Sequence, residues 1–270
     1  ADGLEWERLS RLPGSVRLQV SIGVAVSALA LAAQRGGTGA VEQPAAEPVA
    51  ETDAVVVGDV RGRRVLITAG PTREPIDPAR YISNRSSGRM GYALARTARR
   101  RGAAVTLISG PVSLPAPPGV EVIRVTTAAE MAAVVAQQAA TAQIIVKSAA
   151  VADFRPAAYQ QQKIKKRQAE MQLELVKNTD ILLELGRNRR PGQLLVGFAA
   201  ESGNHETEGR RKLTEKNLDM IVVNDILGQQ TGFDVETNQV TLIDRAGSLV
   251  LPLLSKEATA DRIWDKVVTL

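Results

Sequence analysis

From residue 64 onward, short apolar and β-branched runs alternate with stretches whose apolar residues recur at helical spacing. The pattern predicts strands over 64–68, 104–108, 120–125, 142–148, 194–199 and 219–223, each short enough to be buried in a sheet. Residues 89–101 put Met90, Leu94 and Ala98 on one helical face. The string TAAE at 127–130 is a capping-box signature: a Thr hydroxyl and a Glu carboxylate satisfy the exposed N–H groups that open another helix. Residues 176–182 read as a helix start capped by Asn178, with Asp180 in the first turn. Strand and helix in alternation imply an α/β fold, a Rossmann-like, mostly parallel sheet with helices on both faces. Near the C-terminus the pattern changes. Runs at 240–243 and 249–251 flank DRAGS at 244–248, which predicts an added β-hairpin with Gly247 in its turn, and a last helix from about Ser255 packs Ile263, Trp264 and Val267. This tail reads as structural.

Residues 1–60 do not share the pattern. The apolar run 20–33 is too short for a membrane span, though close to the length of a signal-peptide core, and 36–59 has the Ala, Pro, Glu and Gly content of a linker. Glu5, Glu7 and the missing initiator Met favour a truncated upstream segment over a signal peptide. The expected organisation is a poorly structured or truncated segment and linker over 1–60, then one domain over 61–270.

Composition narrows the chemistry. The chain has no cysteine, so protein disulfides and protein thiol catalysis are excluded, and any thiol belongs to a substrate. The net charge of +5 comes largely from clusters such as 99–101, 163–167 and 210–212. Three Phe, three Tyr and two Trp do not supply the aromatic interleaving of a single-strand nucleic-acid groove, so small anions are the expected ligands. A single histidine, His205, gives little support to a Ser-His-Asp triad or a His-rich metal site.

The string YISNRSSGRMG at 81–91 carries the most chemistry. Ser86, Ser87 and Gly88 bring small side chains and backbone N–H groups to a helix N-terminus, where unsatisfied donors and the helix dipole favour an anion. A second such turn, TAGPTR at 68–73, follows the first strand of the domain. The plainer alternative is that Gly88 and Gly91 permit close helix-to-sheet packing and that Ser86 or Ser87 caps the helix. Ser148, Ala149, Ala150 and Asp153 follow a buried strand, and ligands of open parallel sheets bind beyond the carboxyl ends of strands. Lys147 stands there where a small or apolar residue is expected. Lys163 and Lys165 share one side of an exposed polar stretch if it is extended, placed to neutralise phosphate as a lid closes.

Taken with KIKK at 163–166 and GFAAE at 197–201, the 81–91 string resembles the phosphopantothenate-cysteine ligase family of coenzyme A biosynthesis, over residues 62–269. The resemblance implies CTP-dependent joining of 4'-phosphopantothenate to L-cysteine through an acyl-cytidylate, with Mg²⁺, in a cytoplasmic homodimer. It implies catalytic roles for Asn84 and Lys163, and nucleotide contacts from Ser148, Ala149, Asp153, Lys163, Thr179, Asp180, Ile181, Leu182, Phe198, Lys212 and Lys216. Asn84, Ser86, Ser87, Gly88 and Ala150 are implied on the phosphopantothenate side. Metal ligands stay unassigned, and neither nucleic acid nor a membrane is an expected partner. In many bacteria this ligase follows a flavin-dependent decarboxylase domain; nothing in 1–60 is long enough to be one, so decarboxylase activity is not carried over. The alternatives are a dinucleotide-dependent oxidoreductase on the same fold, which lacks a GxGxxG fingerprint here, and a non-catalytic nucleotide sensor.

Overall fold

A computed structural model describes residues 15–21, 59–165, 170–201, 203–225 and 235–270. In chain order, β1 (Ser15–Ser21) precedes β2 (Arg64–Ala69), the hairpin strands β3 (Arg73–Asp77) and β4 (Arg80–Ser83), and helix α1 (Arg89–Arg100). Then come β5 (Ala104–Ser109), β6 (Glu121–Arg124), α2 (Ala128–Ala139), β7 (Ile144–Lys147), β8 (Phe154–Pro156) and β9 (Glu170–Lys177). The C-terminal part holds α3 (Ile181–Arg187), β10 (Leu194–Glu201), α4 (His205–Glu215), β11 (Met220–Asp225) and β12 (Thr237–Asn238). It continues with β13 (Val240–Asp244), β14 (Ser248–Val250), β15 (Leu254–Ser255) and α5 (Lys256–Val267).

The main sheet runs β14-β13-β11-β10-β7-β2-β5-β6. From β6 across to β11 every neighbour is parallel, while β13 and β14 add to β11 as the antiparallel hairpin expected from the sequence. The alternating apolar positions sort onto two faces, as period-2 geometry requires. Val65, Ile67, Val146, Val196 and Val222 pack with Tyr92, Leu94, Ile263 and Trp264 of α1 and α5. Leu66, Ile145, Leu195 and Ile221 pack with Met131, Leu182 and Leu213 of α2, α3 and α4 on the other side. Trp264 is fully buried, and its indole N–H donates to the Leu94 carbonyl at 3.1 Å, so the largest core side chain leaves no polar atom unpaired.

Local signals hold at most element ends. Thr127 accepts from the Glu130 N–H at 3.2 Å and completes the capping box of α2, and Ser255 caps α5. In the β13–β14 turn, Asp244 accepts from the Ala246 and Gly247 N–H groups. The expectation for Asn178 is corrected. It lies in extended chain after β9, its N–H donating to the Asp153 carbonyl, and its amide donates to the Ala152 carbonyl at 2.8 Å. Asp180 is the cap of α3 instead, accepting from the Leu183 N–H at 3.0 Å, so Thr179 precedes the helix rather than opening it.

Outside the main sheet, β1, β9 and β8 form an antiparallel sheet, and β3 and β4 form a separate hairpin. Seven residues of the upstream segment are thus paired as β1. The apolar run beyond Ser21 lies outside the described residues, as does Lys166. Among the described residues no helix is long and apolar enough to cross a membrane.

Candidate active site

Strand order decides where the pocket forms. β2 sends the chain by way of α1 to β5 on one side, and the chain returns through α2 to β7 on the other, so β2 and β7 part at a topological switch point. Their carboxyl ends open a cavity of about 290 Å³, walled by the loops after β2 and β7, the start of α1 and the end of α4.

The two loops are stitched together. Ser148 Oγ donates to the Thr68 carbonyl at 2.7 Å, and the Ala149 N–H donates to Thr68 Oγ1 at 3.2 Å. The Ala150 N–H donates to the Gly70 carbonyl at 2.9 Å, and the Ala152 N–H to Thr72 Oγ1 at 3.0 Å. Asn84 Nδ2 joins them from a third segment, donating to the Val151 carbonyl at 3.0 Å. Thr68 and Thr72 are fully buried, and their anchoring role was not read from the sequence.

At the start of α1 the cap is Gly88, with φ +77° and no side-chain cap hydrogen bond. Ser86 Oγ accepts from the Gly88 N–H at 3.4 Å, just ahead of the first helical turn. Residues 88–91 line the cavity, which places the helix start where an anion cradle would need it. A Cβ on Gly88 would lie 2.8 Å from Val112 Cγ1, so this left-handed position excludes larger residues both by strain and by space. Gly91 serves the plainer purpose. A Cβ there would lie 2.5 Å from Ala69 Cβ and 2.8 Å from Ser148 Oγ, so helix and sheet touch at that point.

The opposite wall is cationic. Lys147, Lys212 and Lys216 line the cavity with Asp153, Leu182 and a half-buried Phe198. Lys216 Nζ is 2.7 Å from Asp180 Oδ2. Burial pushes the Asp180 carboxyl up, but the Lys216 ammonium, the Leu183 N–H and the Lys147 charge together hold it below its ordinary value. Lys147 Nζ donates to the Ala149 carbonyl at 3.1 Å. Part of its surface faces the cavity, yet the ammonium is withdrawn from bulk water. Burial first, and the Lys216 charge second, bring it down to about 8, against an upward pull from Asp180 and Asp153.

Besides Arg89 and Lys147, three further polar residues of the cavity were not anticipated as site residues. Asn224, at the carboxyl end of β11, lines the cavity with its Oδ1 buried and, among the described residues, without a hydrogen-bond partner. The carboxyl-end rule that selected Ser148 would have selected it too. Asn238 and Lys256 also line the cavity, Lys256 Nζ donating to Asn238 Oδ1 at 2.8 Å. The C-terminal tail is thus not structural alone.

Not every expected residue converges. Thr179 and Ile181 line a separate apolar groove between α2 and α3. Lys163 is exposed and is not among the lining residues; its segment is held against the β3–β4 hairpin.

The family model described as "DNA/pantothenate metabolism flavoprotein C-terminal domain" matches residues 60–270. The chain belongs to that family. The coenzyme A biosynthesis bifunctional protein CoaBC of Escherichia coli K12 is 46% identical over 216 residues, which is 79% of this chain and 53% of that protein. The chain thus spans about half the length of this relative. A crystal structure of the C-terminal domain of a CoaBC protein superposes with a TM-score of 0.67 at 40% identity, covering 78% of this chain and 97% of that one. A Cab2 H337A structure in complex with phosphopantothenate-cysteine gives a TM-score of 0.62 at 17% identity, covering 77% of this chain and 88% of that one, a likeness of fold.

Proposed function

We propose that this domain is a phosphopantothenate-cysteine ligase that uses CTP. The observation that carries the reading is one switch-point cavity lined both by the glycine-opened start of α1 and by the cluster of Lys147, Lys212 and Lys216. A reaction between a phosphorylated carboxylate and a nucleoside triphosphate needs both. The family membership and the CoaBC relatives support the same activity.

In the first step a carboxylate oxygen of 4'-phosphopantothenate attacks the α-phosphorus of CTP, and the α–β bridging oxygen leaves with pyrophosphate. The product is the acyl-cytidylate. In the second, the amine of L-cysteine attacks the acyl carbon, CMP leaves, and the amine proton is lost as the amide forms. Ser86, Ser87 and Gly88 suit the substrate phosphate, and the lysine wall with Lys163 suits the triphosphate and the charge on departing pyrophosphate. Asn84, tied to the loop after β7, presents an amide to the carboxylate and the mixed anhydride. Phe198 offers a ring for the base, and Ala149, Ala150 and Leu182 let the backbone approach it.

Among the described residues no group of three metal-ligating side chains exists. Mg²⁺ keeps several waters and takes few protein ligands when it rides on phosphates; Asp153 is the carboxylate among the cavity-lining residues that could face it. When bound it would neutralise phosphate charge. The homodimer and cytoplasmic setting implied by the resemblance belong to the same proposal.

The test is turnover with 4'-phosphopantothenate and L-cysteine, offering CTP and ATP separately. CMP release that depends on both substrates is expected. A nucleotide consumed without cysteine-dependent amide formation, or none consumed, would overturn the reading.

A further inference from the structure

The hairpin β3–β4 makes more hydrogen bonds than a turn needs. Asp77 ends β3, and its side chain is fully enclosed. Oδ1 accepts from the Ala79 and Arg80 N–H groups, both at 2.9 Å, which closes the turn in the manner of an Asx-turn. Oδ2 is then surplus to the hairpin. It accepts from Arg80 Nε at 3.0 Å, pairs with Arg80 Nη2, and accepts from the Ile164 N–H at 3.1 Å. Arg80 Nη2 in turn donates to the Ile164 carbonyl at 2.9 Å.

Both backbone groups of Ile164 are therefore held by one acid–arginine pair from a hairpin more than eighty residues earlier in the chain. Ile164 lies between Lys163 and Lys165, which are both exposed. The Gln160 N–H, donating to the Ile76 carbonyl at 2.9 Å, fastens the same segment further upstream. From this clasp we infer that Asp77 is the positioning residue for Lys163: it fixes the backbone that carries the lysine toward the nucleotide. The inference rests on the ligase reading only in what Lys163 acts upon.

The charge arrangement suits the role. Asp77 and Arg80 neutralise each other, so the clasp adds no net charge beside a polyanion. The Arg80 hydrogen bonds, aided by the Ala79 and Ile164 N–H groups, hold the Asp77 carboxyl well below the usual carboxylate range although burial pushes it up, so the acceptor stays ionised at working pH. Asp77 lies near the surface; its own turn, Arg80 and Ile164 enclose it rather than the deep core.

A double-mutant cycle with a proteolysis arm tests this. Asp77→Asn keeps an Oδ1 acceptor for the turn and replaces the acceptor facing Ile164 with a donor. Trypsin should then cut after Lys163 and Lys165 at least about tenfold faster, while the melting temperature of the domain moves little. Pyrophosphate release should fall about 10- to 100-fold through kcat. In a Lys163→Gln background the same substitution should change the rate less than about threefold, because the residue it positions is gone. An equal rate loss in both backgrounds, or unchanged trypsin cleavage, overturns the inference. If Asp77→Asn fails to fold, Ile164→Pro removes the N–H while leaving the hairpin intact; trypsin does not cut before proline, so cleavage after Lys165 and the two pyrophosphate rates are read instead. Wild-type chain that makes no pyrophosphate with any nucleotide would sink the ligase reading, and the trypsin arm then judges the clasp alone.

Discussion

Lys147 should cost this fold stability at neutral pH, and replacing it should recover that stability in a pH-dependent way. Its ammonium has an ordinary value of 10.5 and is brought to about 8 in the folded chain. Below pH 8 both folded and unfolded chains hold the proton, and the folded chain bears the whole cost of keeping a charge withdrawn from water beside Lys216. Between pH 8 and 10.5 the unfolded chain still holds a proton that the folded chain has released, so stability rises with pH through that window. The full cost is about 3 kcal/mol. Lys147→Met keeps the length of the side chain and has no proton to carry. It also leaves the Ala149 carbonyl without its 3.1 Å partner, a loss of about 1 kcal/mol. The variant should therefore be more stable than wild type by about 2 kcal/mol at pH 7. That advantage should disappear and then reverse slightly as pH approaches 10.5. Denaturant unfolding of both proteins from pH 7 to 10.5 measures the difference directly. A difference that does not change across the window would refute the argument. The same physics gives a functional signature. A triphosphate in this pocket favours the charged lysine, so nucleotide binding near pH 8.5 should take up a proton, seen as a buffer-dependent binding enthalpy that Lys147→Met lacks.

Gly91→Ala should destabilise the domain by about 1–3 kcal/mol in denaturant unfolding, because its Cβ would sit 2.5 Å from Ala69 Cβ on a strand that cannot retreat. Asn84→Asp should reduce amide formation at least about tenfold at saturating cysteine, since it removes the donor to the Val151 carbonyl and adds a negative charge where an anion must bind; an unchanged rate would take Asn84 out of the reaction. Lys163→Gln should lower pyrophosphate release about 100-fold with no shift in melting temperature, the side chain being exposed.

Much of the sheet was readable because burial on both faces leaves a simple mark. Val65-Leu66-Ile67 is apolar throughout, since alternate residues meet α1 on one side and α2 on the other. The capping box at Thr127 and the hairpin around Gly247 are local devices, set by residues three or four apart, and they hold in the structure. The β3–β4 hairpin escaped because Pro75 and Pro78 interrupt its sequence pattern, and its order comes from Asp77 rather than from apolar alternation. Asn178 misled for a related reason. An Asn two residues before an Asp offers two caps, and the choice was made by β9 pairing with β8, which keeps Asn178 extended and turns its amide toward Ala152.

The candidate site was legible where backbone geometry makes it and opaque where distant side chains meet. Gly88, Ser148 and Asp153 follow from the rule about carboxyl ends and helix starts. Asn224, Asn238 and Lys256 come from three separate segments, and only the folded chain brings them to the cavity, Asn238 beside Met90 of α1. The ion pair of Lys216 with Asp180 is likewise invisible in a helix-spacing argument that considers Lys212 and Lys216 alone.

The parts of this site are fastened with unequal strength, and the chemistry asks for that. Four hydrogen bonds join residues 68–72 to 148–152, and Gly91 holds α1 close on the same strands, so the proposed anion cradle would be built before any ligand arrives. Preorganised donors there hold charge without reorganising during reaction, which is where electrostatic stabilisation is strongest. A cavity closed on all sides by such bonds could not exchange a nucleotide and release pyrophosphate in each cycle. Lys163 stands instead on a segment held through Ile164 by one acid–arginine pair and near Gln160 by one backbone bond, bonds that single events can break and remake. On the ligase proposal, firm recognition in the sheet and a cation on a lightly held segment divide the labour of a two-step, polyanionic reaction.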